Sequence, residues 1–522
     1  MKIKTALATL AGTLLVSLTA ESYEVFQGPT ELIQYDPAKA YEGYTLFSPF
    51  RGKNTYLIDM YGEVVHIWPY PEGWVTNGQE VIEKHARLLE NGTLLRGFSD
   101  RRQGNPANIV FQIANWDGEV IWEHDESRPG YAPHHDFRMI WNPKLQQQTL
   151  LYVASRAITD EQARALGVDP KGSEDISSRP DGIVEIDMEG NVIWEWNVSD
   201  HIVQDRNPDV LNYGVVADNP GKMDPNWGAG VTGDWIHINA IDYNEVLDQI
   251  VISNSAFSEI MIIDHGASFV AGDPEISIEL AATDAGDFIY RWGNPCVFDA
   301  GDCPSMLDEG RNNTNGHQQV FFIHDTQWIR EKEMAAPGTG NLPGEGNLLV
   351  FDNGARQPGV THSSILEINP YAGDMVDGQY IQQMDAGYTA VGMGSPHNTS
   401  DQIVWEFDSS QSNAFYSNYI SGAQRLANGN TFINSGAHGH FFEVTPDSEV
   451  VWEYVSPVGV QSNGDFGIYK IMTDAAGRQF NSVFRAARYA PDYPGLQGRE
   501  LIPMGQITEL HTAEPARPPF SD

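Results

Sequence analysis

The sequence predicts an all-β fold, a six-bladed β-propeller whose ring is closed by N-terminal strands in the last blade. Three observations predict it. A phrase ending in tryptophan and an acid recurs six times, a second phrase built on a hairpin turn also recurs six times, and the two ends of the chain each lack the half of a unit that the other supplies. Repeats of roughly 40 to 50 residues with aromatic punctuation are what propeller blades look like in sequence.

The first phrase is a turn, then β-branched or apolar residues, then an aromatic and an acid. It reads YGEVVHIW ending at Trp68, WDGEVIWEH around Trp122, MEGNVIWEW around Trp194, GDFIYRWG around Trp292, SDQIVWEF around Trp405 and DSEVVWEY around Trp452. The second phrase starts with a polar or histidine-bearing strand, passes a tight turn and rises into an apolar strand. Its copies begin at His85, His134, His237, His324, Ser421 and Tyr469. Each pair of phrases supplies several short antiparallel strands joined by hairpins.

Ring closure follows from what is missing. The last unit, from Tyr469 to Tyr489, has no Trp-acid strand of its own, and the strand ending at Trp68 has no inner strand before it. Strands at about 44–68 are therefore expected to complete the final blade, which removes open sheet edges. The largest insertions fall at about 155–180, 198–232, 266–286, 297–320 and 372–400, and loops of this size are where propellers place function. No strand, Gly-rich turn and helix unit of a dinucleotide-binding enzyme is present.

Residues 1–20 read as a signal peptide. Lys2 and Lys4 give the charged start, Ala6 to Leu18 an apolar run too short to span a bilayer well, and Thr19-Ala20 a small-residue cleavage point. The expected organisation is a leader at 1–20, one propeller at 21–500 and a loose Pro-rich tail at 501–522. The mature protein is expected to be periplasmic or secreted and, after cleavage, free of the membrane.

The chain has 31 basic and 71 acidic side chains, a formal charge of −40. Such a surface repels nucleic acid and anionic membranes, so any anion-binding site must be a local positive island. The two cysteines, Cys296 and Cys303, lie in the loop-like stretch CVFDAGDC, and in an exported protein this spacing favours one small-loop disulfide.

The inner strand of each blade lines a central channel, and His85, His135, His237 and His324 stand at or near the same phase of successive inner phrases. The fifth blade has Ser421 there but offers His438 and His440 one strand later, and Arg356 follows the FDNG turn of the fourth. Arginine and imidazolium suit an oxyanion, and a neutral imidazole can be a nucleophile on phosphorus or sulfur. Clustered neutral imidazoles also bind metals, although a nearby Arg356 argues against one. The residues alone leave open a group transferase, a metal-dependent hydrolase or lyase, and a non-catalytic propeller that binds a ligand in its channel.

Four stretches carry a family resemblance. DWIHINAIDYNEVLDQIVIS, IHDTQWI, GNLLVFDNGAR and FYSNYISGAQRLANGNTFINSGAHGHFFEV resemble the bacterial arylsulfotransferases that do not use adenosine phosphosulfate. The resemblance runs from about residue 45 to 500. It implies a periplasmic six-bladed propeller that moves a sulfuryl group from an aryl sulfate to a phenol by a ping-pong route, with no cofactor and no metal. It places the nucleophile on His440 and sulfate contacts on His237, His324 and Arg356. His85, His134 and His135 then fall to structural or peripheral roles. The best-known members carry one short-loop disulfide and a separate N-terminal β-sandwich. Only about 25 residues precede the first blade strand here, so that sandwich is expected to be absent.

Overall fold

The computed structural model describes residues 28–50, 52–70, 85–99, 109–169, 178–227, 233–300, 317–330, 342–355, 362–371, 380–381, 401–408, 415–461, 466–472 and 479–512. Six antiparallel sheets form the six blades of a propeller. From the channel outwards, blade one is His85–Leu88, Leu94–Ser99, Ile109–Ala114 and Val120–Asp125. Blade two is Tyr131–Asn142, Gln147–Arg156, Asp181–Ile186 and Val192–Asn197. Blade three is Ile238–Asn244, Gln249–Asn254, Glu259–Ile263 and Phe288–Trp292. Blade four is Ile323–Trp328, Leu348–Asp352, Ser364–Ile368 and Ile403–Asp408. Blade five is Gly422–Arg425, Thr431–Ser435, His440–Val444 and Val450–Val455.

Blade six closes the ring. Its inner strand, Val483–Tyr489, pairs with Tyr44–Pro49, which continues into Asn54–Ile58 and Val64–Pro69. The expected closure is the observed one. A strand not anticipated, Glu31–Tyr35, adds to the outer edge of blade five and covers it.

The recurring phrase forms the fourth strand of every blade, counted from the channel, and its turn has a common build. Asp59 Oδ1 accepts from the backbone N–H of Tyr61 and Glu63, and Asp187 Oδ1 does the same for Glu189 and Asn191. Gly62 and Gly190 take φ of +76° and +86° to complete these turns, a conformation with no steric cost for glycine. In blade five Thr445 caps the turn and Ser448 takes the left-handed place at φ +68°.

The tryptophan of that strand reaches across to the next blade. Trp68 Nε1 donates to Asn115 O, Trp122 to Met188 O, Trp405 to Pro446 O and Trp452 to Met60 O, over 2.8–3.2 Å. Trp194 meets Ser268 Oγ of blade three at 3.0 Å. The repeat thus encodes a clasp between neighbours, and the Trp452 and Trp68 clasps bind the closing blade on both sides.

The stretch expected to be a loose tail packs as far as Thr512. Met504 N–H donates to Val64 O, Ile507 is buried in the core between blades five and six, and Thr508 bonds Glu31. Residues 1–20, 301–316 and 513–522 lie outside the described residues, and with them the expected leader, Cys303 and the end of the chain. Cys296 is buried in the short helical turn Pro295–Phe298. No helix among the described residues is long and apolar enough to cross a membrane.

Candidate active site at the channel mouth

Side chains at one mouth of the channel are aimed by unusual backbone. His237, Phe322 and Ser421, each just before an inner strand in blades three to five, and His135, inside the inner strand of blade two, have φ of +52°, +64°, +95° and +57°. Non-glycine residues adopt this region rarely and at a cost, so its recurrence at one place in the ring marks a surface shaped by its surroundings.

His324, of blade four, is buried and its Nδ1 lies 2.6 Å from Asn353 Oδ1. Asn353 spends its amide hydrogens on the carbonyls of Ser417 and Ile420, so its oxygen must accept and the His324 proton sits on Nδ1. Burial, then the Arg485 charge, pushes the His324 pKa down to about 3. The ring is a neutral imidazole.

His237 is the more open of the two, its side chain about a third exposed. Its Nδ1 bonds Asp234 Oδ2, and its backbone N–H meets the other oxygen of the same carboxylate at 3.2 Å. Burial works to raise the Asp234 pKa, but the bond and charge of His237 outweigh it and hold the carboxyl below its usual range. A carboxylate partner fixes the tautomer, with a proton on Nδ1.

Arg485 lies beneath them. It is buried, its Nε is 2.8 Å from Asp325 Oδ1, and its Nη groups donate to Ser421 O and Asn239 O. One side chain therefore ties blades three, four and five to blade six. Asp325 also accepts from the Ala423 N–H at 3.1 Å, and burial raises its pKa to about 6 against the lowering by Arg485. Below this pair the channel widens into a cavity of about 230 Å³ lined in part by Arg87, Arg138, Arg330 and Arg485. Each of these arginines faces a carboxylate: Arg87 meets Asp136, Arg138 and Arg330 meet Asp242, and Arg485 meets Asp325.

His440 begins the third strand of blade five, on the face turned towards blade four, with its ring 5.0 Å from Phe442. Its Nε2 is 2.9 Å from Glu453 Oε1. An ionised carboxylate only accepts, so Nε2 carries a proton and Nδ1 holds the lone pair of the neutral ring. His438 lies on the short turn Gly436–His438 just before it. A hydrogen-bonded path links this turn to His324: Ala437 N–H donates to Ser417 Oγ, and Ser417 O accepts from Asn353. Arg356 lies outside the described residues, immediately after Ala355 of the FDNGA turn.

The structure also brings in residues that the sequence left aside. The His135 ring is 4.5 Å from that of His237, and the charges of His237, His134, His324 and Arg485 all act on it. His85 is buried against Phe137, 4.1 Å between ring centroids, with Nε2 3.1 Å from Asp136. Arg485 was visible only as part of the last inner phrase, and Asn353 as part of FDNG. Equal phase in the repeat was the one signal that pointed to both histidines.

The family model for Arylsulfotransferase (ASST) matches residues 51–455, which include five blades and part of the sixth. The chain belongs to the arylsulfotransferase family. It is 23% identical over 290 residues to the arylsulfate sulfotransferase AssT of Escherichia coli O6:H1, a match over 51% of this chain and 40% of that protein. The chain thus matches less than half the length of this curated relative. Similar solved structures include a protein of unknown function from Bacteroides caccae, 11% identical with a TM-score of 0.38, covering 80% of this chain and 94% of that one. A virginiamycin B lyase from Staphylococcus aureus is 10% identical with a TM-score of 0.33, covering 84% and 86%. Neither likeness bears on what this family member does.

Proposed function

We propose that the protein transfers a sulfuryl group from an aryl sulfate ester to a phenolic acceptor, in two half-reactions through a sulfohistidine at His440. The observation that carries this reading is the meeting, above Arg485, of His237 and His324, both of which lie within the span that the family model covers. Imidazoles whose Nδ1 is already committed, once protonated at Nε2 and set beside a buried guanidinium, suit a tetrahedral oxyanion.

In the first half-reaction a His440 ring nitrogen forms a bond to sulfur as the sulfur–oxygen bond to the phenol breaks. Glu453, behind Nε2, would hold the ring and stabilise the charge it gains, as a carboxylate does for a catalytic imidazole. In the second, the acceptor oxygen attacks sulfur and the nitrogen–sulfur bond breaks. Arg356 would bind the sulfate oxygens throughout, joined by His237 and His324 when their Nε2 carries a proton. Such transfer depends on positioning and charge stabilisation, which a rigid ring supplies.

Incubation with p-nitrophenyl sulfate and phenol tests the proposal. Release of p-nitrophenolate, formation of phenyl sulfate and a sulfuryl mass increment on the His440 peptide are expected, and all three should vanish in His440→Ala. A folded protein giving no product and no modified histidine would reject it. Metal analysis separates the hydrolase alternative, which requires a stoichiometric transition metal. Export is part of the proposal, and N-terminal sequencing of secreted material should begin after Ala20. Non-reducing peptide mapping should join Cys296 to Cys303.

A further inference from the structure

Blade two carries a hydrogen-bonded chain that ends at the site. Its inner strand is bulged between Pro133 and Phe137, and within the bulge His135 takes the left-handed conformation. His135 Nδ1 lies 2.7 Å from His134 Nδ1, and His134 Nε2 lies 3.0 Å from Asp181 Oδ1. The other Asp181 oxygen accepts from the N–H of Ile238, the residue after His237, at 2.7 Å. One carboxylate therefore anchors both the histidine pair and the strand that presents His237.

The hydrogen bonds within this chain set the order of donors and acceptors along it. Asp181 accepts from His134 Nε2–H, so in the neutral ring Nδ1 of His134 is a lone pair and must accept. His135 Nδ1 is then the donor, and the basic nitrogen of His135 is Nε2. A proton arriving at Nε2 allows the Nδ1 proton to pass to His134, and the positive charge comes to rest beside Asp181. A half-buried imidazole among His237, His324 and Arg485 would be a poor base by itself, and desolvation and those charges hold it well below its usual pKa. The chain offsets this by moving the charge to the carboxylate.

We propose that His135 exchanges the phenolic proton in each half-reaction, with His134 and Asp181 as the positioning residues behind it. The inference rests on the sulfuryl-transfer reading above. When the acceptor oxygen bonds to sulfur and the His440–sulfur bond breaks, the phenolic proton goes to His135 Nε2. In the next turnover the same proton returns to the departing phenolate as its bond to sulfur breaks. No further reactant is needed. His237, His324, Arg485 and Phe484 surround the His135 ring, and His85 with Asp136 lie beneath.

The test is a series of aryl sulfate donors graded by the pKa of the leaving phenol, assayed with wild type, His135→Asn and His134→Asn. Asparagine tolerates the left-handed backbone at residue 135. Proton donation matters little to a nitrophenolate and much to a basic phenolate. His135→Asn should therefore lower kcat/KM for the most basic leaving group at least tenfold more than for p-nitrophenyl sulfate, and His134→Asn should steepen the dependence in the same direction but less. A role in packing alone would slow all donors equally. Parallel plots for wild type and both folded variants would overturn the proposal, whereas no transfer by wild type from any donor would instead reject the sulfotransferase reading. If the variants do not fold, nitrogen-15 spectra of wild-type histidines decide: His135 protonated at Nδ1 and bare at Nε2 supports the chain, and the opposite tautomer overturns it.

Discussion

His237, His324 and His440 are distinguished by what their hydrogen-bonded nitrogen touches. His237 and His440 face carboxylates, Asp234 and Glu453, whereas His324 faces the amide oxygen of Asn353, a neutral acceptor. Asn353→Asp should raise the His324 pKa, measured by histidine NMR titration. It also leaves Ser417 O and Ile420 O without their donors and should cost about 2–4 kcal/mol in urea unfolding. His85 gives a second prediction at this scale. Burial holds its folded pKa at about 4, against roughly 6.5 unfolded. Between those values the unfolded chain binds the additional proton, so stability is complete above pH 6.5 and falls as pH drops towards 4. His85→Phe keeps the stack on Phe137 and removes the proton site, so the fall in unfolding free energy over that window should be shallower than in wild type.

At the scale of elements, the Trp-acid phrase does two things that its repetition made legible. The turn sets a strand, and the tryptophan clasps the next blade. Trp452→Phe keeps most of the buried ring but loses the bond to Met60 O, and should cost about 1 kcal/mol. Trp452→Ala opens the core as well and should cost about 3–5 kcal/mol, with both measured by denaturant unfolding. The acid of the phrase was legible only as a repeat. Glu123, Glu195, Glu406 and Glu453 look equivalent in sequence, yet Glu195 holds Arg128 while Glu453 holds His440. The difference comes from which face of which blade each strand presents. Similarly, nothing in the residue types of His135 or His237 announces a left-handed backbone, so the sequence could rank them by phase but not by direction. That is why His135 stood aside with His85 until the bulge in blade two placed its ring on His237.

For the whole molecule, the blade number and the closure of the ring were readable because each end of the chain lacked what the other had. Arg485 was not, because its partners Ser421, Asn239 and Asp325 come from three other blades and meet only when the ring is shut. The net charge leads to a prediction at the same scale. A formal charge of −40 surrounds a channel in which Arg87, Arg138, Arg330 and Arg485 line the axis. An aryl sulfate is an anion, so the field of the acidic surface repels it at long range. At roughly 10 mM salt the screening length is about 30 Å and the whole surface is felt, whereas at about 150 mM it is near 8 Å and most of that repulsion is screened. Added salt should therefore raise kcat/KM for p-nitrophenyl sulfate severalfold over this range while leaving kcat nearly constant, since the effect is on encounter. A fall in kcat/KM would mean that the axial arginines already govern approach from long range. An uncharged acceptor phenol, varied at saturating donor, should show almost no salt dependence, which separates steering of the anion from any change in the protein itself.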